Sequence, residues 1–417
     1  MKIFVQIASY RDPELIPTLK DCIDKAKHPE NLHIGICRQY CADDKFDKIP
    51  ASLKKKAKFT VKNVNYKKTK GVCWARNAVQ NMYEGEDYTL QIDSHHRFVK
   101  NWDEELINML KSLQKKGHKK PLITAYAPSY DPQNDPGGRV QVPWKMNFDR
   151  FIPEGAIFFL PSFMDDFQDL TDPIPARFYS AHFAFSIGAF AKEVKHDPKY
   201  YFHGEEISIA VRAFTHGYDL FHPHKVILWH EYTRKGRTKQ WDDDSKWGEK
   251  NHSSHLRNRK LFEMDGLKND IDFGEYGFGN KRTVEDYERY AGISFKKRAV
   301  QKYTTDNLPP PNPKLKGKEF EDSFMQIFKH CIDLYAPPLR DKDYDFWAVI
   351  FEDENGDEIF REDLNKQQVK DLLASNQSDD FFKIWKEFNA EKLPKKWIVW
   401  PFQTDKGWQE KLENNLY

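Results

Sequence analysis

The sequence predicts an α/β protein: a larger domain with an open strand-and-helix sheet over residues 1–302, then a smaller α+β domain over 341–417. Three observations carry this expectation. Apolar runs of strand length alternate with helix-like segments through the first hundred residues. A proline-rich stretch, NLPPPNPKLKGK (307–318), interrupts the pattern, so residues 303–340 read as a linker with a connecting helix. The length, 417 residues, exceeds one ordinary hydrophobic core.

The elements follow in order. Residues 2–9 form an apolar run of strand length, and Asp12 before Pro13 fits an N-cap with proline in the first turn of a helix reaching Lys27. LHIGIC (32–37) and KFTVKNV (58–64) read as strands, VCWARNAVQNMY (72–83) as a helix and DYTLQI (87–92) as a strand, which is a βαβ opening. Asn101, with Glu104 at the capping-box position, starts a helix that puts Trp102, Leu106, Leu110 and Leu113 on one face. Residues 128–155, with their prolines and Gly137–Gly138, read as a long irregular loop. SAHFAFSIGAF (180–190) suggests strand and turn, Glu206 to His216 a helix stopped by Gly217, and KVILWH (225–230) a strand. The charged segment 231–260 reads as mobile. Past the linker, DFWAVIFEDENGDEIF (345–360) reads as a hairpin turning near Asn355–Gly356, followed by helices at 365–373 and 379–388 and the strand KKWIVWPF (395–402).

Composition excludes several classes. Lysine and arginine total 66 against 64 acids, so no global field exists to hold a polyanion, and nucleic acid is not the expected partner. No run approaches the ~20 apolar residues of a transmembrane helix, and no signal-peptide pattern opens the chain. Five sparse cysteines without a CxxC pair read as reduced thiols, which gives a cytoplasmic expectation.

The chemistry concentrates after residue 92. In an open α/β sheet the ligand site lies beyond the carboxyl ends of the strands. Asp93, Ser94 and His95 sit there, and alternation along an extended backbone puts the Asp93 carboxylate and the His95 imidazole on one side. A surface turn reads the same way in isolation. His230, at the end of a distant strand, supplies a third candidate ligand. One carboxylate and two imidazoles suit Mn²⁺ or a similar ion better than calcium, and they leave positions open for diphosphate oxygens. Such an ion neutralises charge on a departing nucleotide diphosphate.

FVQIASYRDPEL (4–15), GVCWARNAVQ (71–80), LQIDSHHRF (90–98) with WDEEL (102–106), FHGEEISIAVRAFTHGYDLFHP (202–223) and WHEYTR (229–234) closely resemble the cytoplasmic hydroxyproline-directed polypeptide N-acetylglucosaminyltransferases, glycosyltransferase family 60. The resemblance continues through FGNKRTVEDYERYAGI (278–293) and covers roughly residues 1–300. More distantly, GVCWARN, DSH, GEE and the final WH look like elements of the mucin-type polypeptide N-acetylgalactosaminyltransferases. The resemblance implies a GT-A fold and a metal-dependent, retaining transferase. It implies Mn²⁺ (or Mg²⁺) held by Asp93, His95 and His230, and UDP-GlcNAc as donor. Ser9, Arg11 and Arg76 would lie along the nucleotide, with Asp93 and Ser94 at the donor. Glu205, with Glu206 beside it, would approach the donor sugar or the acceptor hydroxyl. The acceptor would be a hydroxyl of a protein (hydroxyproline, Ser or Thr) or of a glycan.

Each of these residues also has a plainer reading. Glu205 and Glu206 suit simple interaction with a helix N-terminus, so one acts while the other caps. Arg11 and Arg76 suit phosphate or uracil oxygens, or a structural ion pair. His96 points away from His95 and reads as packing. His203, His216, His222 and His224 fall on different elements, and HSSH (252–255) reads as loop. Arg234, Arg237, Arg257 and Arg259 make 231–260 either a lid over the donor or a solvated loop. Trp347, Trp385, Trp397 and Trp400 read as core of the small domain, or as a sugar-stacking or docking surface. Competing functions are a transferase using another UDP-sugar to build a bacterial surface polysaccharide, a nucleotide-sugar hydrolase, and a lectin-like binder.

Overall fold

The computed structural model describes residues 1–340, 342–375, 380–390 and 392–416. The expected domain boundary at 341 and the first residue of the expected helix 379–388 lie outside them. Two compact units divide the chain: 1–149, 155–296 and 303–314 form the first, and 150–154, 297–302 and 315–417 the second. The proline-rich stretch is therefore shared, and its first part is not a free tether. Asn312 is buried in the first unit, where its Oδ1 accepts from Arg177 Nη2 at 2.6 Å.

The first unit is built on a mixed eight-stranded sheet. Its strands run in the order Lys58–Asn65, Leu32–Tyr40, Ile3–Tyr10, Tyr88–Asp93, Phe183–Ile187, Pro121–Thr124, Asp219–His222 and Ile174–Pro175. The first four are parallel, and Phe183–Ile187 is antiparallel to both its neighbours. Alternation along Ile3–Tyr10 sorts its side chains to two faces. Ile3, Val5 and Ile7 join one core with Leu15 and Leu19 of helix Leu15–Lys25 and with Trp102, Leu106 and Leu110 of helix Trp102–Lys115. Phe4 packs on the other side with Ala75 and Val79 of helix Val72–Gln80. Helices thus cover both faces, and the carboxyl edge of the parallel strands stays open for the loops that carry the site.

Several local expectations change. Asn101 adopts a left-handed conformation and its side chain caps nothing; Glu104 instead takes Lys27 Nζ at 2.7 Å. The expected loop 128–155 contains the strand Trp144–Phe151, which pairs with Ile157–Phe163. Segment 231–260 is largely ordered, because Trp247–Leu261 is a helix whose inward face, unusually polar, is Ser254, His255, Arg257, Asn258 and Leu261. HSSH lies within that helix. The strand expected at 225–230 shortens to Leu228–His230.

The second unit contains a five-stranded sheet in which Phe346–Glu352 lies between Glu358–Asn365 and Lys396–Gln403, and Gly407–Trp408 and Leu412–Asn415 both pair with Lys396–Gln403. The helix expected at 379–388 is instead the strand Phe381–Asn389, paired with Ile327–Tyr335. Its alternation decides the matter: Phe382 and Ile384 are buried while Phe381 and Trp385 face solvent. Trp347 and Trp397 are core, Trp400 packs on Trp408 with ring centroids 4.3 Å apart, and Trp385 is 56% exposed.

Candidate active site

Strand Tyr88–Asp93 ends at the carboxyl edge of the sheet, and the chain turns through Ser94 and His95 into the short strand His96–Phe98. That strand pairs antiparallel with Leu228–His230, and the register sets His230 directly opposite His96. This pairing closes the distance from residue 95 to residue 230. Asp93 Oδ2 lies 3.8 Å from His95 Nε2 and 3.6 Å from His230 Nε2. The three ligand atoms all fall within 4.8 Å of one another. Two atoms bound at ~2.1 Å to one ion are at most ~4.2 Å apart, so the carboxylate and each imidazole are already at bridging distance.

The electrostatics suit a cation. Burial pushes the Asp93 carboxyl up, but Arg76 and the two imidazoles outweigh it and hold the group well below the ordinary carboxylate range. Burial drives His230 far down, so its ring is neutral and keeps a lone pair. His230 is 7% exposed and neither ring nitrogen has a hydrogen-bond partner among the described residues. A buried, neutral imidazole nitrogen facing a carboxylate without a hydrogen bond has the donor chemistry of a transition-ion ligand. The set therefore fits a divalent transition ion.

The other expected site residues take definite places. Arg76 is buried and forks between two carboxylates: Nη2 donates to Asp93 Oδ1 at 2.9 Å and Nη1 to Glu205 Oε1 at 3.1 Å. Its arms hold protein carboxylates, and they turn Asp93 Oδ2 toward the imidazoles. Glu205 begins helix Glu205–Thr215, and burial raises its carboxyl against the opposing pull of Arg76. Glu206 accepts from Ala181 N at 2.9 Å and from Tyr126 Oη at 3.1 Å, and burial together with Glu205 pushes it up to about 8. Ser9 is fully buried at the end of its strand. Ser94 Oγ donates to Asp12 Oδ2 at 2.6 Å. Arg11 pairs with Asp44 at 2.7 Å and, through Nη1, with Asp243 at 2.8 Å.

The segment after His230 folds back over this edge. Asp243 also accepts from Tyr10 Oη at 2.8 Å, and Gln240 Nε2 donates to Thr69 Oγ1 at 3.1 Å. Arg237 reaches Glu231 Oε2 at 2.7 Å and contacts His95 Nδ1 and Asp12. Arg257 and Arg259 point elsewhere, to Asp197 and Asp265. The covering element is therefore the stretch 231–246, not the whole of 231–260.

Residues that the sequence reading did not assign to the site complete it. His182 stacks on His230 with centroids 4.3 Å apart, and Tyr232 meets His230 edge-on at the same distance. His182 Nε2 accepts from Ala127 N, so its Nδ1–H is directed at Ser180 Oγ. Burial drives His182 and His96 well below the ordinary histidine range, so both wall the site as neutral rings. Asp12 is the other addition: its Oδ1 accepts from Glu14 N at 2.9 Å, and its Oδ2 takes both Ser94 Oγ and His95 Nδ1, the latter at 2.8 Å. Their signal was present as the SAHF, WHEYTR and SYRDP strings, but nothing in spacing alone ties those strings to His95 or His230.

Among known proteins, the sequence model of a family described as Glycosyltransferase (GlcNAc) matches residues 2–57 and 49–297. A comparison with curated proteins finds no match. Similar solved structures include GalNAc-T7 with UDP, GalNAc and Mn²⁺, at 14% identity and a TM-score of 0.44, covering 63% of this chain and 48% of that chain. S. aureus TarS residues 1–349 align at 12% identity and a TM-score of 0.38, over 63% of this chain and 72% of that one. A longer S. aureus TarS structure aligns at 11% identity and a TM-score of 0.38, over 100% of this chain and 77% of that one.

Proposed function

The chain belongs to the Glycosyltransferase (GlcNAc) family, and from that premise we propose that it moves GlcNAc from UDP-GlcNAc to a hydroxyl acceptor in a divalent-cation-dependent, retaining reaction. One observation carries the reading: Asp93, His95 and His230, separated by up to 137 positions, bring their ligand atoms within 4.8 Å at the carboxyl edge of the sheet. Mn²⁺ or Mg²⁺ held there would supply electrostatic stabilisation to the diphosphate as it leaves.

The protein's own groups divide the remaining work. Arg76 fixes Asp93 and Glu205 with one planar fork, so ligand set and helix start move as a unit. Glu205, at the head of its helix, positions the donor sugar, while Glu206 anchors that helix start to Ala181 and Tyr126. The 231–246 stretch excludes water, which limits wasteful hydrolysis of the donor. The acceptor oxygen forms a bond to the anomeric carbon as the bond from that carbon to the diphosphate breaks, and the acceptor proton passes to a diphosphate oxygen. Retention and the GT-A assignment rest on the family resemblance, which also favours a protein hydroxyl as acceptor over a glycan.

The test is a panel of UDP-sugars assayed for UDP release with Mn²⁺ and with a chelator, in the presence of hydroxyproline peptides or oligosaccharides. UDP-GlcNAc is expected to turn over fastest, only with metal, with GlcNAc appearing on an acceptor. UDP release indifferent to chelation and to His230→Ala would sink the reading. Release of free GlcNAc alone, whatever acceptor is present, would assign a hydrolase instead.

A further inference from the structure

We propose that Asp12 is a positioning residue that fixes the tautomer of His95 and thereby makes it a metal ligand; this rests on the metal reading of the site given above. The Asp12 side chain is 4% exposed and its two oxygens do different jobs. Oδ1 takes the Glu14 backbone N–H at the start of helix Leu15–Lys25. Oδ2 takes the Ser94 hydroxyl at 2.6 Å and faces His95 Nδ1 at 2.8 Å. A buried carboxylate accepts and cannot donate, so it places the single proton of a neutral imidazole on Nδ1. Nε2 is then left with its lone pair, on the side where Asp93 Oδ2 lies.

The reverse tautomer would put a proton on Nε2 and close that ligand position. The Arg237 contact at His95 Nδ1 pulls the other way, because a guanidinium only donates. Arg237 is anchored elsewhere, by Glu231 Oε2 at 2.7 Å, and its Nη1 also lies 3.4 Å from Asp12 Oδ2. It can pair with the carboxylate without claiming the imidazole. Asp12 has no such freedom: Ser94 and the helix start hold both its oxygens. A carboxylate behind a metal-binding histidine typically tunes affinity ~10–100-fold.

Asp12→Asn separates positioning from folding. The amide oxygen can still accept at the helix start, while the NH₂ group replaces Oδ2 and donates to Nδ1, forcing the proton to Nε2. The readouts are Mn²⁺ affinity, from the electron paramagnetic resonance signal of free Mn²⁺, and the His95 tautomer, from ¹⁵N-histidine NMR of metal-free protein with His95→Gln used for assignment. Expected are a Nδ1–H tautomer in the native chain and a ~10–100-fold weaker Mn²⁺ dissociation constant in Asp12→Asn, with the metal-free melting temperature little changed. Asp12→Glu, which keeps the carboxylate, should recover part of the affinity. Equal Mn²⁺ affinity in native and Asp12→Asn chains, or a Nε2–H tautomer in the native one, overturns the proposal. Absence of Mn²⁺ binding by the native chain would overturn the metal reading itself, while the tautomer measurement still judges Asp12.

Discussion

Replacing Arg76 by methionine strips one guanidinium from two buried carboxylates. Its ion pairs to Asp93 (2.9 Å) and Glu205 (3.1 Å) are both made inside the fold, where Arg76 itself is 5% exposed. Removing one member of a buried ion pair typically costs ~3–5 kcal/mol, because the charge left behind has lost its water as well as its partner. In a unit of about 300 residues each kcal/mol moves the melting temperature by ~1.6 °C, so a fall of about 5–8 °C is expected by calorimetry at neutral pH. The deficit should shrink on acidification, since protonating the stranded carboxylates removes the cost. Arg76→Lys keeps a charge but cannot fork between two carboxylates, and should fall between the two. A methionine variant melting within about 2 °C of the native chain would refute the reasoning.

Other outcomes follow from single features. Gly71 has φ +124° and a Cβ there would lie 2.6 Å from Tyr201 O, so Gly71→Ala should destabilise the start of the helix carrying Arg76 by about 1–3 kcal/mol or more, measured by urea titration. His222 is buried with Nδ1–H donating to Thr124 O and Nε2 accepting from Met146 N, and burial pushes it down to about 4. The unfolded chain then takes up this proton first, so stability present above pH ~6.5 is lost as pH falls toward about 4, by up to ~3 kcal/mol; His222→Gln should flatten that limb of the stability profile. Limited proteolysis should cut within 231–246 more slowly once UDP and Mn²⁺ are added, and equal rates would reject a covering role for that stretch.

The candidate ligands Asp93 and His95 were read together by alternation along a strand, but the strand ends at Asp93 and it is the bend through Ser94 and His95 that sets their side chains 3.8 Å apart. His230 was legible as the end of an apolar run, but its approach depends on pairing with His96–Phe98, which no local pattern encodes. Asp12 shows the limit more sharply. Its helix-start contact is two residues away, whereas its bonds to Ser94 and His95 span 82 and 83 positions. The strand Phe381–Asn389 was misread because FFKIWKEFN satisfies periods of 2 and 3.6 almost equally over nine residues, and only the partner strand Ile327–Tyr335 selects one. Helix Trp247–Leu261 was hidden by composition: its inward face uses Ser254, Asn258 and Arg257, which bond to Tyr201 N, Gly155 O and Asp197 where apolar side chains are normally expected. Arg76 was read as a nucleotide contact or a structural ion pair, and its guanidinium pairs with Asp93 and Glu205, partners 17 and 129 positions away that no local pattern names.

The most direct measurement is anomalous X-ray scattering from crystals grown with UDP and Mn²⁺. A manganese peak bonded at ~2.0–2.2 Å to Asp93 Oδ2, His95 Nε2 and His230 Nε2, with diphosphate oxygens on the same ion, is the expected result. Bound UDP with manganese at any other set of side chains, or with no manganese peak, would contradict it.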